Sequence, residues 1–162
     1  ASNRRERPSE EWVAEFTLSR VFDAPRDMMF RIWTDPQYVR LWWGLDGTTN
    51  PVCELDVRVG GSWRIDMRLA NGTVYRNGGE YLEVVENERL VSTDIPGAAL
   101  PGGIDGSRRN TVTFADQGNG TLVTLRVQFR SAEAHAFFLQ AGMKNGMGQS
   151  LERLARLLPT LA

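Results

Sequence analysis

Ser131–Leu158, SAEAHAFFLQAGMKNGMGQSLERLARLL, is the longest helical pattern in a chain that otherwise alternates like strand. Ser131 is a good N-cap residue, and Glu133 falls in the first turn, where the positive end of the helix dipole favours an anion. Met143, Met147, Leu151, Leu154 and Leu158 recur at helical spacing and define one apolar stripe. The pattern predicts a single C-terminal helix. Gly142, Gly146 and Gly148 cut against it, each costing about 1 kcal/mol relative to Ala in a helix interior. Glycines kept at that cost point to a close approach, either tight packing of helix on sheet or a helix that roofs a ligand cavity.

Upstream of this stretch the apolar period changes. Trp12, Ala14, Phe16, Leu18 and Phe22 alternate with polar neighbours as in a half-buried strand, and Arg20 falls on the apolar side of that alternation. Pro25 and Asp27 open a short helix whose face carries Met29, Ile32 and Trp33. Asp35-Pro36 is an N-cap followed by an N1 proline and opens a second helix, with Val39, Trp42 and Trp43 on its face and Gly44 to end it. The remainder to Phe129 reads as antiparallel strands. Asn71-Gly72 marks one hairpin, and Gly118-Asn119-Gly120 marks another between Asn110–Ala115 and Thr121–Phe129. Gly78-Gly79 predicts a bulge or a close backbone approach. Asp94 to Arg109, DIPGAALPGGIDGSRR, is long, rich in Gly and Pro and without period, the character of a functional lid or a loosely ordered loop. Residues 1–10 are polar and aperiodic and read as a flexible tail. Residues 11–160 read as one domain.

Bulk properties narrow the function. Nineteen basic against twenty acidic residues give a net charge of -1 over 162 residues, which removes any electrostatic case for nucleic acid or an anionic membrane surface. No apolar run approaches the length of a membrane span, and the polar N-terminus does not read as a signal peptide. The single cysteine, Cys53, allows no internal disulfide. It fits a reducing, cytoplasmic setting and reads as a small core residue. One histidine, His135, and no Cys/His cluster argue against a metal site, and no cofactor fingerprint is present.

The order strand, two short helices, antiparallel strands, long helix is similar to that of the helix-grip (START-like, SRPBCC) superfamily. The local residues resemble most closely the bacterial homologues of heat-shock-chaperone ATPase activators. The resembling stretches are Ser19–Gly44 (SRVFDAPRDMMFRIWTDPQYVRLWWG), Asp56–Met67, Asn77–Thr93, Thr111–Phe114 and Gly148–Leu158. The resemblance implies an α+β domain in which a curved antiparallel sheet of about six or seven strands wraps around the C-terminal helix and encloses a cavity. Members of the superfamily bind lipids, sterols, plant hormones and polyketides, and a minority are enzymes. Three departures stand out. Met147 occupies a position where relatives often carry Trp, Leu45 follows Trp-Trp-Gly where a proline is common, and the Asp94–Arg109 loop is long.

If the apolar strand faces point at the helix, the cavity wall comprises Trp63, Ile65, Met67, Phe114 and Leu125 from the sheet. Met143, Met147 and Leu151 come from the helix, with Trp33, Trp43 and Tyr81 beside them, an apolar and adaptable lining. Arg20 is the polar candidate, with Glu80, Glu83 or Asp66 as partners, because a buried guanidinium needs a carboxylate or a ligand anion. Acid/base candidates are Tyr81, Tyr75, Asp66 and His135, the last read as solvated in the first helical turn. The expected function is binding of a small hydrophobic or amphipathic molecule without a cofactor. An enzyme of cyclase, dehydratase or hydrolase type on a polyketide-like substrate is the alternative. A chaperone ATPase-modulating module ranks below both, because the extra N-terminal domain of such activators is not found here. A homodimer through strand edges or loops is compatible with the pattern.

Overall fold

The computed structural model describes residues 12–94 and 99–161; the tail 1–10 lies outside them. Strand β1 (Ala14–Phe22) leads into helices α1 (Arg26–Thr34) and α2 (Pro36–Trp42). Strands β2 (Thr49–Leu55), β3 (Ser62–Arg68), β4 (Val74–Val85) and β5 (Arg89–Asp94) follow. After a small hairpin of β6 (Ala99–Leu100) and β7 (Ile104–Asp105) come β8 (Arg108–Gln117) and β9 (Gly120–Phe129). The main sheet has seven strands in the order β1-β9-β8-β5-β4-β3-β2, every neighbouring pair antiparallel. β1 and β2 are thus opposite edges, and α1 and α2 carry the chain between them. Pro51 is tolerated in β2 because that strand has a free side.

The hairpin signals hold. Gly72 takes φ +90 in the β3–β4 turn, where Leu69 N–H donates to the Thr73 carbonyl. The Gly78-Gly79 signal resolves into a close approach: a Cβ on Gly79 would collide with the carbonyl of Thr93 on β5. The register shift of β4 comes slightly later, between Tyr81 and Glu83. Asp35 caps α2 as its sequence implies, accepting from Gln37 N–H at 2.9 Å. Pro25 differs by one position, being the N-cap of α1 and not its first helical residue.

The C-terminal stretch is not one helix. α3 (Ala132–Gln140) ends at Ala141, and α4 (Met143–Leu157) begins after Gly142, which takes φ +88. Gly142 N–H bonds back to the Leu139 carbonyl, the geometry of a left-handed residue just past a helix end. The apolar stripe masks the break because it starts only at Met143. Once α4 begins, the stripe behaves as expected, with Leu151, Leu154 and Leu158 all buried.

Two apolar clusters form. The larger gathers Met29, Ile32, Val39, Trp42, Phe22, Val123 and Leu154 under α1, α2 and the second half of α4. The smaller gathers Phe16, Val127, Phe129 and Ala134 under α3. Leu18 and Met147 border both. The Trp33 and Trp42 rings meet at a tilt of 50° with centroids 4.4 Å apart, and Trp42 Nε1 donates to the Ile32 carbonyl, so these two tryptophans are core.

What fixes α4 over the sheet is polar. Arg153 Nη1 faces the carbonyl oxygens of Leu45 (2.8 Å) and Trp43 (3.3 Å) and the Thr48 hydroxyl (3.2 Å). Its Nη2 reaches the Thr48 carbonyl at 3.2 Å. One turn earlier Ser150 Oγ accepts from Gly44 N–H at 2.9 Å and donates to the Gly44 carbonyl at 3.0 Å. Asn50, buried, donates to the Arg40 and Trp43 carbonyls. The turn after α2 therefore has its free carbonyls filled by α4 and β2. It also wedges α4: Leu45 Cδ2 lies 3.0 Å from where a Cβ on Gly146 would stand. Of the three helix glycines, Gly146 is the one that permits a close approach. Gly148 has open space beside it, and Gly142 serves the break.

Gly142→Ala should lose about 1–2 kcal/mol, from the positive φ alone, since no atom lies near its would-be Cβ. Arg153→Met should lose about 2–4 kcal/mol, and Arg153→Lys somewhat less because it keeps the charge but loses the fork. Urea denaturation checks both, and a loss for Arg153→Met no greater than for a surface substitution would show that the clamp is not structural.

Candidate functional site

Residues directly opposed across the sheet share a face, so the register identifies what looks toward α4. Leu18, Leu125, Val112, Leu90 and Val84 form one inward row. Trp63 lies opposite Gly79, itself opposite Asp94, on the same face. The lining expected from sequence divides in two. Ile65, Tyr81, Phe114, Leu125 and Leu151 are buried, and Trp33 packs against Phe22, Trp42 and Phe114, so these belong to the packed core. Trp43, Trp63, Met67, Met143 and Met147 are only half-buried, although sheet and helix face each other there. Leu18 and Val112 are half-buried in the same way. Met67 lies over Gly44, its Sδ 2.9 Å from where a Cβ would stand. Trp63 Nε1 donates to the Thr93 carbonyl at 3.2 Å, which leaves its ring as an apolar wall.

The polar side chains fall elsewhere than the sequence suggests. Arg20 does follow the inward parity of β1, but its partner is Glu152 of α4, not Glu80, Glu83 or Asp66. Glu83 pairs with Arg89, and Asp66 with Arg64 at 2.8 Å. His135 is not solvated: it is half-buried, with its ring 5.1 Å from Phe129 and 6.4 Å from Phe16. Tyr75 is exposed. Tyr81 is buried, and burial pushes its phenol well above the usual range. Burial likewise raises the Cys53 thiol, which keeps it protonated and inert, as a core residue. The acid/base candidates do not converge.

The loop read as running from Asp94 to Arg109 is shorter at both ends. Asp94 completes β5, and Arg108 and Arg109 begin β8. Antiparallel pairing of β5 with β8, as between Thr93 and Arg109, draws these charged residues into the sheet against their low strand propensity. Residues 95–98 of that loop lie outside the described ones, and Leu100 and Ile104 of the following hairpin pack on the α3 cluster.

Asp94 and Arg108 then meet where strand β5 ends and β8 begins. Their side chains are 17% and 21% exposed, and Arg108 Nε stands 2.8 Å from Asp94 Oδ2. The N–H is not directed at the carboxylate, so this is an ion pair without a well-formed hydrogen bond. Burial raises the Asp94 carboxyl above its ordinary value, opposed by the charge of Arg108 and by the polar groups of Asn110 and Arg108 beside it. Burial also pulls the Arg108 guanidinium down, opposed by Asp94. Above the guanidinium lies the Phe138 ring, 4.5 Å from centroid to Cζ, and Nη1 touches Met143 Sδ at 3.5 Å. Sequence reasoning missed this pair because both residues read as loop. The one available signal was a charge at each end of the Gly/Pro run.

Two clefts open beside α4. One, of about 420 Å³, lies between the end of β1 and the last turn of α4, with Arg20, Phe22, Met28, Ala155 and Leu158 in its walls. The other, of about 700 Å³, runs along the outer face of α4 past Lys144, Gln149, Glu152 and Arg156. None of the apolar lining residues expected from sequence walls either cleft.

Among the described residues no helix is long and apolar enough to cross a membrane. No curated protein matches the chain. Solved structures do. One from Chromobacterium violaceum is 31% identical, covering 90% of this chain and 97% of its own, with a TM-score of 0.73. One from Mycobacterium smegmatis is 26% identical, with coverage of 89% and 90% and a TM-score of 0.77. At 22% identity, a Nitrosomonas europaea protein shares the fold with a TM-score of 0.80 over 90% and 94% of the two chains. The family model described as "Activator of Hsp90 ATPase homolog 1-like protein" matches residues 23–159. The seven-stranded sheet, the gripped α4 and that match agree: the chain belongs to the Activator of Hsp90 ATPase homolog 1-like family.

Proposed function

We propose that the protein binds a small hydrophobic or amphipathic molecule in the space between the sheet and α4. Family membership points to ligand binding or a chaperone-activator-like role, and one observation favours the first. Trp43 and Trp63 border the larger cluster, Met143 the smaller and Met147 both, and together with Met67 they keep accessible surface. Side chains facing a fully filled interior would be buried like Ile65 and Leu125. Three methionines among five such residues make a wall that can reshape around a ligand. Met147 is the residue best placed to set its size, because it borders both clusters and stands one position after Gly146, where α4 is wedged by Leu45.

Native mass spectrometry of gently purified protein, with a screen of fatty acids, alcohols and aromatic compounds by thermal shift and tryptophan fluorescence, tests this reading. A bound species, or a shift with one class, is expected; none with any class sinks it. A ligand recovered with altered mass would instead support the enzyme alternative, a cyclase, dehydratase or hydrolase of polyketide-like substrates. Met147→Trp should weaken binding by about tenfold while changing stability by less than about 1.5 kcal/mol. Equal affinity in that variant would place the ligand away from α4. The family description also supports a second reading, modulation of a chaperone ATPase, which a purified ATPase assay showing no stimulation would remove.

A further inference from the structure

The half-buried apolar wall has one polar end. Asp94 lies across β4's Gly79 from Trp63, and Arg108, which faces it, reaches over to Met143 at the start of α4. A guanidinium carries five N–H donors. Among the described residues, those of Arg108 meet a misaligned carboxylate, a thioether sulfur and the face of Phe138, none of them a strong directed acceptor. Arg109 Nε and Arg130 Nη1 are likewise buried without a partner among the described residues, but it is Arg108 that reaches α4, whereas Arg153 addresses several carbonyl oxygens. Arg108 therefore has hydrogen-bonding capacity left over in a poorly solvated place, which is where an acceptor gains most.

We propose that Arg108 anchors the oxygen-bearing end of the ligand, and that this end is uncharged: a ketone or alcohol oxygen accepting from the guanidinium, with the apolar body lying toward Trp63, Met67 and Met147. The inference rests on the ligand-binding reading above and narrows it to one chemical class. Charge decides the class. Asp94 and Arg108 already balance, so a carboxylate head would bring a second negative charge close to Asp94 in a low-dielectric setting. An uncharged acceptor fills the free donors and leaves the balance intact. An alcohol can in addition donate to the Asp94 carboxylate.

The test uses the full chain and three straight-chain ligands of equal length, an alcohol, a methyl ketone and a carboxylate, each competing with N-phenyl-1-naphthylamine, an uncharged apolar fluorescent probe. The wild type should bind the alcohol and ketone at least about tenfold more tightly than the carboxylate. In the double variant Asp94→Asn/Arg108→Met that preference should vanish, each competitor being read against that variant's own affinity for the probe. Removing both charges of a buried pair together avoids stranding either one, and the wild-type comparison stands whether or not the variant folds. Equal or tighter binding of the carboxylate by the wild type overturns the inference, as does a preference that survives in the folded double variant. Probe binding without any head-group preference overturns this inference alone, whereas a wild type that binds neither probe nor ligands takes the ligand-binding reading with it.

Discussion

The carbonyl groups that α2 leaves free as it ends, and those of the turn behind it, must find donors, and here the donors come from α4. Arg153 and Ser150 take the Trp43, Gly44, Leu45 and Thr48 carbonyls, while Asn50 takes those of Arg40 and Trp43. Apolar contact alone would let a helix slide along a sheet, since burial has no direction. Hydrogen bonds to a rigid turn do have one. The clamp therefore sets where α4 stands, and with it which side chains of Met143, Met147 and Leu151 look into the sheet.

A clamp at the side of the helix has a further consequence. The second half of α4 is drawn onto α1 and α2, where Leu154 is fully buried, and α3 is drawn onto Phe16 and Phe129. On the sheet, Trp63, Met67 and Val112 stay only half-buried. The break at Gly142 lets α3 and α4 follow these separate clusters. The Asp94–Arg108 pair lies against Phe138 and Met143, where α3, α4 and the sheet come together.

Much of the scaffold was legible from residue patterns. Asp35-Pro36 opens α2, Asn71-Gly72 turns the β3–β4 hairpin, and the alternation of Ala14, Phe16, Leu18 and Phe22 marks the inward face of β1. The family resemblance was legible as well, and the family match bears it out. The helix break was harder, because Gly142 could be read equally as an interior glycine or as the residue just past a helix end. Asp94 and Arg108 read as loop, because Asp and Arg beside Gly and Pro carry no strand signal. His135 was placed in solvent because a first-turn position is usually wet, whereas Phe16 of β1 and Phe129 of β9 close over it here.

By itself, then, the sequence determined the alternation of β1, the two short helices after it, the hairpin turns and the apolar stripe of α4. These follow from local backbone preference and from the period at which apolar side chains recur. Tertiary structure decided the polar partnerships: Arg20 with Glu152, Asp94 with Arg108, and Arg153 with the turn after α2. The physical reason is the same in each case. A guanidinium is matched by whichever carboxylate or carbonyl oxygen the fold brings within about 3 Å. Backbone carbonyls are common to all residues, and a carboxylate 132 positions away, as Glu152 is from Arg20, leaves no local trace of its proximity.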